Sequence, residues 1–268
     1  MDELFYQMIF KRKSFHFFKG RARLSPEELE RIARAYPSFM PLEADIHTAL
    51  RIVPRAETSC KRGEYCILLF SERKGNYLRN IGYLGEQLDL WLASENIGTC
   101  WYGMGKTQQR RLGTLEFVIM LAIEKAEAGD FRKDMFRSKR KPLEEMWSGQ
   151  ALAGVSDIVR FAPSACNTQP WTVEAGDGEW RVFRCKKPGK RGVMPADRTV
   201  YYNRIDIGIF LLFVELCCRH ERIDYTRALY DDFGDEPAER ALVASYRING
   251  YLPAQSEEPG MRAAQNNG

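Results

Sequence analysis

The stretch APSACNTQPW, residues 162–171, decides how this chain is read. Its apolar positions follow neither the helical period nor strand alternation, so it predicts an irregular loop. Ser164, Asn167 and Gln169 set hydrogen-bond donors and acceptors beside the apolar surfaces of Pro163, Pro170 and Trp171. A planar ligand with a polar edge needs that mixture. An ordinary proline-rich turn has no need of the polar trio, so the rest of the chain has to choose between the two.

Outward from the loop, residues 155–161 read as the end of a helix and 180–185 (WRVFRC) as a strand. An apolar helix follows from about 205 to 219, then strands near 225–229 and 244–251. Residues 186–191 form a basic glycine-proline turn, and the polar segment 253–268 is expected to be disordered. Before the loop, Ser25, Pro26 and Glu28 make a capping box that starts a helix. A short helix is expected over 5–9, and EYCILLF (64–70) and FVIMLAI (117–123) read as buried strands. A long helix over 78–96 has Gly98 as its expected stop and leads into IGTCWYGMG (97–105). A basic stretch, 131–142, closes the first half. Gly85-x-x-Leu88-x-Leu90 and Gly208-x-x-Leu211-x-Phe213 form a faint echo between the two long helices.

Composition narrows the function classes. The 268 residues allow one large domain or two small ones, and a net charge of +4 without a concentrated basic element argues against nucleic acid. Seven cysteines without a CxxC pair, and only three histidines, fit neither a disulfide framework nor a zinc site, so no metal is expected. No secretory leader or membrane span is read, and the expected setting is a reducing cytoplasm with no membrane partner.

Four segments resemble motifs of the nitroreductase family of FMN flavoproteins. Residues 12–18 (RKSFHFF) are similar to the N-terminal stretch that grips the FMN phosphate and ribityl chain, which implies roles for Arg12, Lys13, Ser14 and His16. The loop 162–171 is similar to the one packed along the flavin, implying Pro163, Ser164, Asn167 and Gln169. IGTCWYG resembles the segment whose amides face the ring, implying Thr99, Cys100, Trp101, Tyr102 and Gly103. Residues 138–145 (SKRKPLEE) resemble the tail that returns an arginine to the phosphate, here Arg140. Trp101 and Trp171 are candidates either to line the ring or simply to fill the core. His16 stands where the family has a second cation, and Glu124-Lys125-Ala126 replaces a Gly-Tyr-Pro.

The order of these motifs departs from the family, because the loop follows the tail. In the place where the loop would normally stand, residues 36–41 read YPSFMP, without the Asn and Gln. In the family each FMN lies between two subunits. A fused pair of degenerate halves could therefore keep one complete site, with the N-terminal motif and glycine segment from one half and the loop from the other. The resemblance implies an α+β fold with antiparallel-rich sheets covered by helices, in halves 1–146 and 147–252. It implies a monomeric pseudo-dimer with one FMN, passing electrons from NADH or NADPH to a nitroaromatic, quinone or similar small acceptor. The isoalloxazine performs the hydride chemistry, so no catalytic side chain is assigned. The alternative is a flavin-binding sensor or storage protein without turnover.

Overall fold

The computed structural model describes residues 1–186, 194–232 and 238–249. The expected disorder over 253–268 and the turn at 187–191 fall outside them. Helices α1 (Asp2–Lys11) and α2 (Pro26–Ala35) open the chain. The expected capping box is present on α2: Ser25 Oγ accepts the Glu28 N–H, and the Glu28 carboxylate accepts the Ser25 N–H. Next come β1 (Thr48–Pro54), β2 (Tyr65–Ser71), α3 (Tyr77–Ser94), β3 (Ile97–Tyr102), β4 (Arg111–Leu112) and β5 (Leu115–Lys125). The second half adds β6 (Trp147–Gly149), α4 (Ser156–Val159), β7 (Trp171–Gly176), β8 (Glu179–Cys185), α5 (Thr199–His220), β9 (Tyr225–Leu229) and β10 (Arg240–Ile248).

These elements make the expected α+β architecture. One sheet runs β1-β2-β5-β3, with β4 hairpinned onto β5, and is antiparallel throughout. The other runs β6-β7-β8-β10-β9 and is antiparallel except where β6 joins β7. Leaving out β4 and β6, both sheets are traced the same way: two strands, a long helix, then two strands, with the last strand inserted between the second and third. Helices α3 and α5 lie against each other in the main core, their Leu84, Leu88, Phe210 and Val214 clustered with Leu69, Leu121, Val182 and Val243 of the sheets. The first sheet also buries its other face, around Leu68, Phe70, Cys100 and Met120. Burial on both faces is why β2 and β5 read as continuous apolar runs.

Two glycines set the helix crossing. A methyl group built at Gly82 would fall on the Ile205 carbonyl, and one built at Gly208 would fall on the Arg79 carbonyl. The contact is reciprocal: each glycine meets the residue three positions before the other. It pairs Gly208 with Gly82, whereas the sequence echo paired it with Gly85. The register slips by three because both helices are buried almost all round, which leaves no apolar stripe to fix it. Gly85 lies instead against Trp101 and Leu69.

One further expectation is corrected, one open reading is decided and one strand was not foreseen. Helix α3 ends at Ser94, with Asn96 in the left-handed conformation (φ 58°), so Gly98 is no stop. Gly98 belongs to β3, where the Phe15 ring covers it closely. Trp171 opens β7, and its buried ring stacks on Phe210 at 4.8 Å, a core position away from any ligand. Strand β1, only partly buried, had no sequence signal.

Gly82→Ala and Gly208→Ala are each expected to destabilise the fold by about 3 kcal/mol, at the upper end of ordinary overpacking costs, because the obstacle is backbone that cannot rotate away. Urea unfolding checks this, with Gly129→Ala as the control, since a methyl group at Gly129 meets nothing within 4 Å.

Candidate functional site

Four distant segments meet around one cavity of about 610 Å³. The N-terminal arm contributes Arg12, Lys13, Ser14 and His16, and the end of β3 contributes Cys100, Trp101, Tyr102 and Gly103. The loop after α4 contributes Pro163, Ser164, Ala165, Cys166 and Asn167; α5 contributes Tyr202, Ile205, Asp206 and Ile209. Arg62, Arg132 and Arg140 complete the charged lining.

Strand β3 can serve a ligand because it is the last strand of its sheet. On its open edge the Phe15 N–H donates to the Thr99 carbonyl at 2.8 Å, and the Tyr202 hydroxyl donates to the Gly103 carbonyl at 2.7 Å. Alternation along a strand then turns the Trp101 and Gly103 amides to that edge as well. A Cβ at Gly103 would press into the Tyr202 ring.

The loop is irregular apart from one turn over Ala165–Asn167, and it is strained. Cys166, Asn167 and Gln169 have φ of 51°, 55° and 48°, which costs of order 1 kcal/mol each for residues other than glycine. Many bonds hold this geometry. The Ala165 N–H donates to Asp206 at 2.9 Å, the Gln169 N–H to Ser164 Oγ at 2.9 Å, and the Asn167 side chain to the Lys139 carbonyl at 3.1 Å. Gln169 Oε1 accepts the Lys141 N–H at 2.9 Å.

The cations of the site fall into two kinds. Arg12 is buried and neutralised, donating to Asp89 at 2.8 Å with Glu86 at 3.8 Å. Asp89 also accepts from the Thr99 hydroxyl and from Trp101 Nε1. Arg140 instead donates only to the carbonyls of Lys139 and Phe161, and its buried Nε has no partner. Among the described residues Arg132 makes no side-chain hydrogen bond or ion pair. Burial, then repulsion from neighbouring arginines, pushes Arg140 down to about 10. Arg132 is pushed down to about 10 by burial and by repulsion from Arg12. Mutually repelling, half-desolvated guanidinium groups make a place that an anion would stabilise. Arg62 donates to His16 Nδ1 at 2.7 Å and to the Cys100 sulfur at 3.3 Å. Burial and that arginine hold His16 below its ordinary range, so it is neutral at pH 7. Burial pushes the Cys100 thiol up, away from thiolate chemistry.

A family model described as "Putative TM nitroreductase" matches residues 4–218. The chain belongs to this nitroreductase family. In fold it is similar to the crystal structure of a putative nitroreductase from Thermotoga maritima, with a TM-score of 0.58 and 17% identity, covering 91% of this chain and 94% of that one. No curated protein matches the chain. No helix among the described residues is long and apolar enough to cross a membrane, and no group of three or more His, Cys, Asp or Glu there could hold a metal ion.

Of the residues that the resemblance to the nitroreductases singles out, twelve line this cavity. Thr99 and Gln169 do not. The Thr99 hydroxyl is bound to buried Asp89, and Gln169 ties the loop to the Lys141 amide. Arg12 lines the cavity but spends its charge on Asp89, whereas Arg132 and Arg140 make no ion pair among the described residues. Arg132 was within reach of sequence reading, since it stands in the basic stretch before Arg140. Asp206 had a signal too, as a charge interrupting an apolar helix. Arg62 had none.

Arg12→Ala is expected to destabilise the ligand-free protein by about 3–5 kcal/mol, because it strands a buried carboxylate. Arg140→Ala should cost far less, since it removes a buried cation that has no counter-ion. Urea unfolding of the two variants checks the order.

Proposed function

We propose that the cavity binds FMN and that this nitroreductase-family chain passes two electrons from NADH or NADPH to a nitroaromatic, quinone or similar small acceptor. The observation that carries this reading is the pair Arg132 and Arg140, which among the described residues make no side-chain ion pair, at a cavity also lined by aromatic, apolar and backbone groups. The donor set suits the group: guanidinium forks for a phosphate, with Lys13 and Ser14 beside them. FMN, when bound, supplies the hydride chemistry. The chain's own residues orient and bias it. The Trp101 and Gly103 amides face the ring from the open edge of β3, and Arg62 places a positive charge that favours an electron-rich reduced ring. The loop 162–170 closes the cavity from the second half.

This reading makes the chain a fused pseudo-dimer, with halves 1–146 and 147–252, that acts as a monomer. Support comes from the shared strand path of the two sheets and the reciprocal contact of Gly82 and Gly208. The shift that superposes Gly82 on Gly208 carries Arg79 onto Ile205 and Tyr83 onto Ile209. Where α5 lines a cavity with isoleucines, α3 fills the corresponding space. Arg79 donates to the Val243 carbonyl at 2.8 Å, and the Tyr83 hydroxyl donates to Glu215 at 2.9 Å. One FMN per chain follows. The seven free cysteines suit a reducing cytoplasm.

Heat-released flavin should approach one per chain, and NADH or NADPH should bleach the bound flavin. Unbleached flavin would leave a flavin-binding protein without turnover. Arg132→Ala combined with Arg140→Ala should weaken FMN by about 100-fold or more, as expected for two lost charge-assisted bonds of about 1.5–3 kcal/mol each. Riboflavin, which lacks the phosphate, should bind the variant as it binds the parent. Equal losses for the two ligands would place the phosphate elsewhere.

A further inference from the structure

Asp206 is almost fully buried on α5 and lines the cavity. Its Oδ1 accepts the Ala165 N–H at 2.9 Å, which anchors the strained loop. Among the described residues its buried Oδ2 has no hydrogen-bond partner. The pseudo-equivalent residue in the other half is Asn80, under the same shift that carries Gly82 onto Gly208. Asn80 does the same work with an amide, its Oδ1 accepting the N–H groups of Leu42 at 2.8 Å and Glu43 at 3.2 Å. Holding a loop therefore needs one carbonyl oxygen and no acid. It accounts for Oδ1 of Asp206 and leaves a second, ionisable oxygen in the cavity wall unexplained.

We propose that Asp206 meets the bound flavin as a neutral carboxylic acid, its Oδ2–H donating to a carbonyl oxygen or ring nitrogen of the isoalloxazine, so that ligand binding and Asp206 protonation are coupled. The proposal rests on the cavity being the flavin site. A carboxylate buried there without a cation or a second donor would be costly, and the group avoids that cost by keeping its proton. Burial pushes its carboxyl up to about 8. An acid in that range can hold a proton at neutral pH and still release it.

Other ionisable groups face the same space. Tyr202 stands one turn back on α5, Cys166 on the loop, and Cys100 and Tyr102 on β3. The arm and connecting segments bring Arg12, Lys13, His16, Arg62, Arg132 and Arg140. From α3, Arg79 and Tyr83 pack toward α5 and are bound to Val243 and Glu215. His16 is held below its ordinary range and Arg132 and Arg140 are pushed down to about 10, so the Asp206→Asn variant is what separates the Asp206 proton from those of its neighbours.

The test is a carbon-13 NMR titration of protein labelled at the aspartate carboxyls, free and loaded with FMN. It is paired with FMN binding by Asp206→Asn, which keeps the Oδ1 anchor as Asn80 does. One carboxyl should titrate near pH 8 in the free protein and move to higher pH when FMN binds. The FMN Kd of the parent should rise about tenfold from pH 7 to 9, the effect of one linked proton, while that of Asp206→Asn stays flat. The NMR arm needs no variant, so poor folding of Asp206→Asn leaves it decisive. If no aspartate titrates above the ordinary carboxylate range, or if its midpoint is the same with and without bound FMN, the proposal is overturned. Protein that binds no FMN at all overturns the cofactor reading and this proposal with it, and flavin absorbance reports that failure separately.

Discussion

The close crossing of α3 and α5 at Gly82 and Gly208 is the constraint from which the rest follows. Each helix brings its backbone against a carbonyl of the other, an approach that only a residue without a side chain permits. The crossing lets both helices bury nearly their whole length between the two sheets, with each fully buried Leu, Ile, Val or Phe contributing roughly 1.5–3 kcal/mol. It also carries the first turns of α5 across to the first sheet. There Tyr201 donates to the Val118 carbonyl at 2.8 Å and Tyr202 to that of Gly103 at 2.7 Å. The cavity is the gap left beside those ties, so its shape is set by the helix packing rather than by its loops.

Buried charge is handled in two ways in this molecule, and the difference marks the site. Away from the cavity it is matched. Arg184 is held by both oxygens of Asp232, and Glu215 takes Arg227, Arg219 and the hydroxyls of Tyr83 and Tyr246. Arg12 with Asp89 belongs to the same class, a buried pair that fixes the N-terminal arm against β3. Around the cavity the matching thins: among the described residues Arg132 and Arg140 make no ion pair, and Asp206 makes none either. On the proposed reading these groups are left for a ligand that carries an anion at one end and hydrogen-bond acceptors at the other.

Local signals were legible in the sequence, and contacts across the chain were not. Ser25, Pro26 and Glu28 specify a helix start among neighbours, and the apolar runs of β2 and β5 need only burial on both faces. The 162–171 stretch announced an irregular segment because its pattern fits no period. By contrast, Trp171 looked like part of the loop because nothing local shows that its ring meets Phe210. Gly98 looked like a helix stop because a glycine under an aromatic ring carries the same letter. Thr99 and Gln169 have the right chemistry for a ligand, but Asp89 and the Lys141 amide take it. The Arg12 motif was readable, whereas its neutralisation depends on Asp89, about a turn and a half before the end of α3.

On the proposed pseudo-dimer reading, the two halves show what a single chain can do that a symmetric dimer cannot. When identical subunits pair, every residue that lines one site lines the other, so neither site can be filled without losing both. Joined in one chain, equivalent positions are free to differ. Ile205 and Ile209 leave room beside α5, while their counterparts Arg79 and Tyr83 reach the second sheet and Glu215 of α5 respectively. A long guanidinium and a phenol placed there would be unstable alone, since each would bury polar atoms. Arg79 is satisfied by the Val243 and Tyr230 carbonyls and by Asn76, and Tyr83 by Glu215. Glu215 itself occupies the position equivalent to Asp89, the acid that pairs with Arg12 in the open half. Related positions thus hold an acid in both halves. In one it fixes the arm that borders the cavity, and in the other it anchors the side chains that close the space where a second cavity would lie.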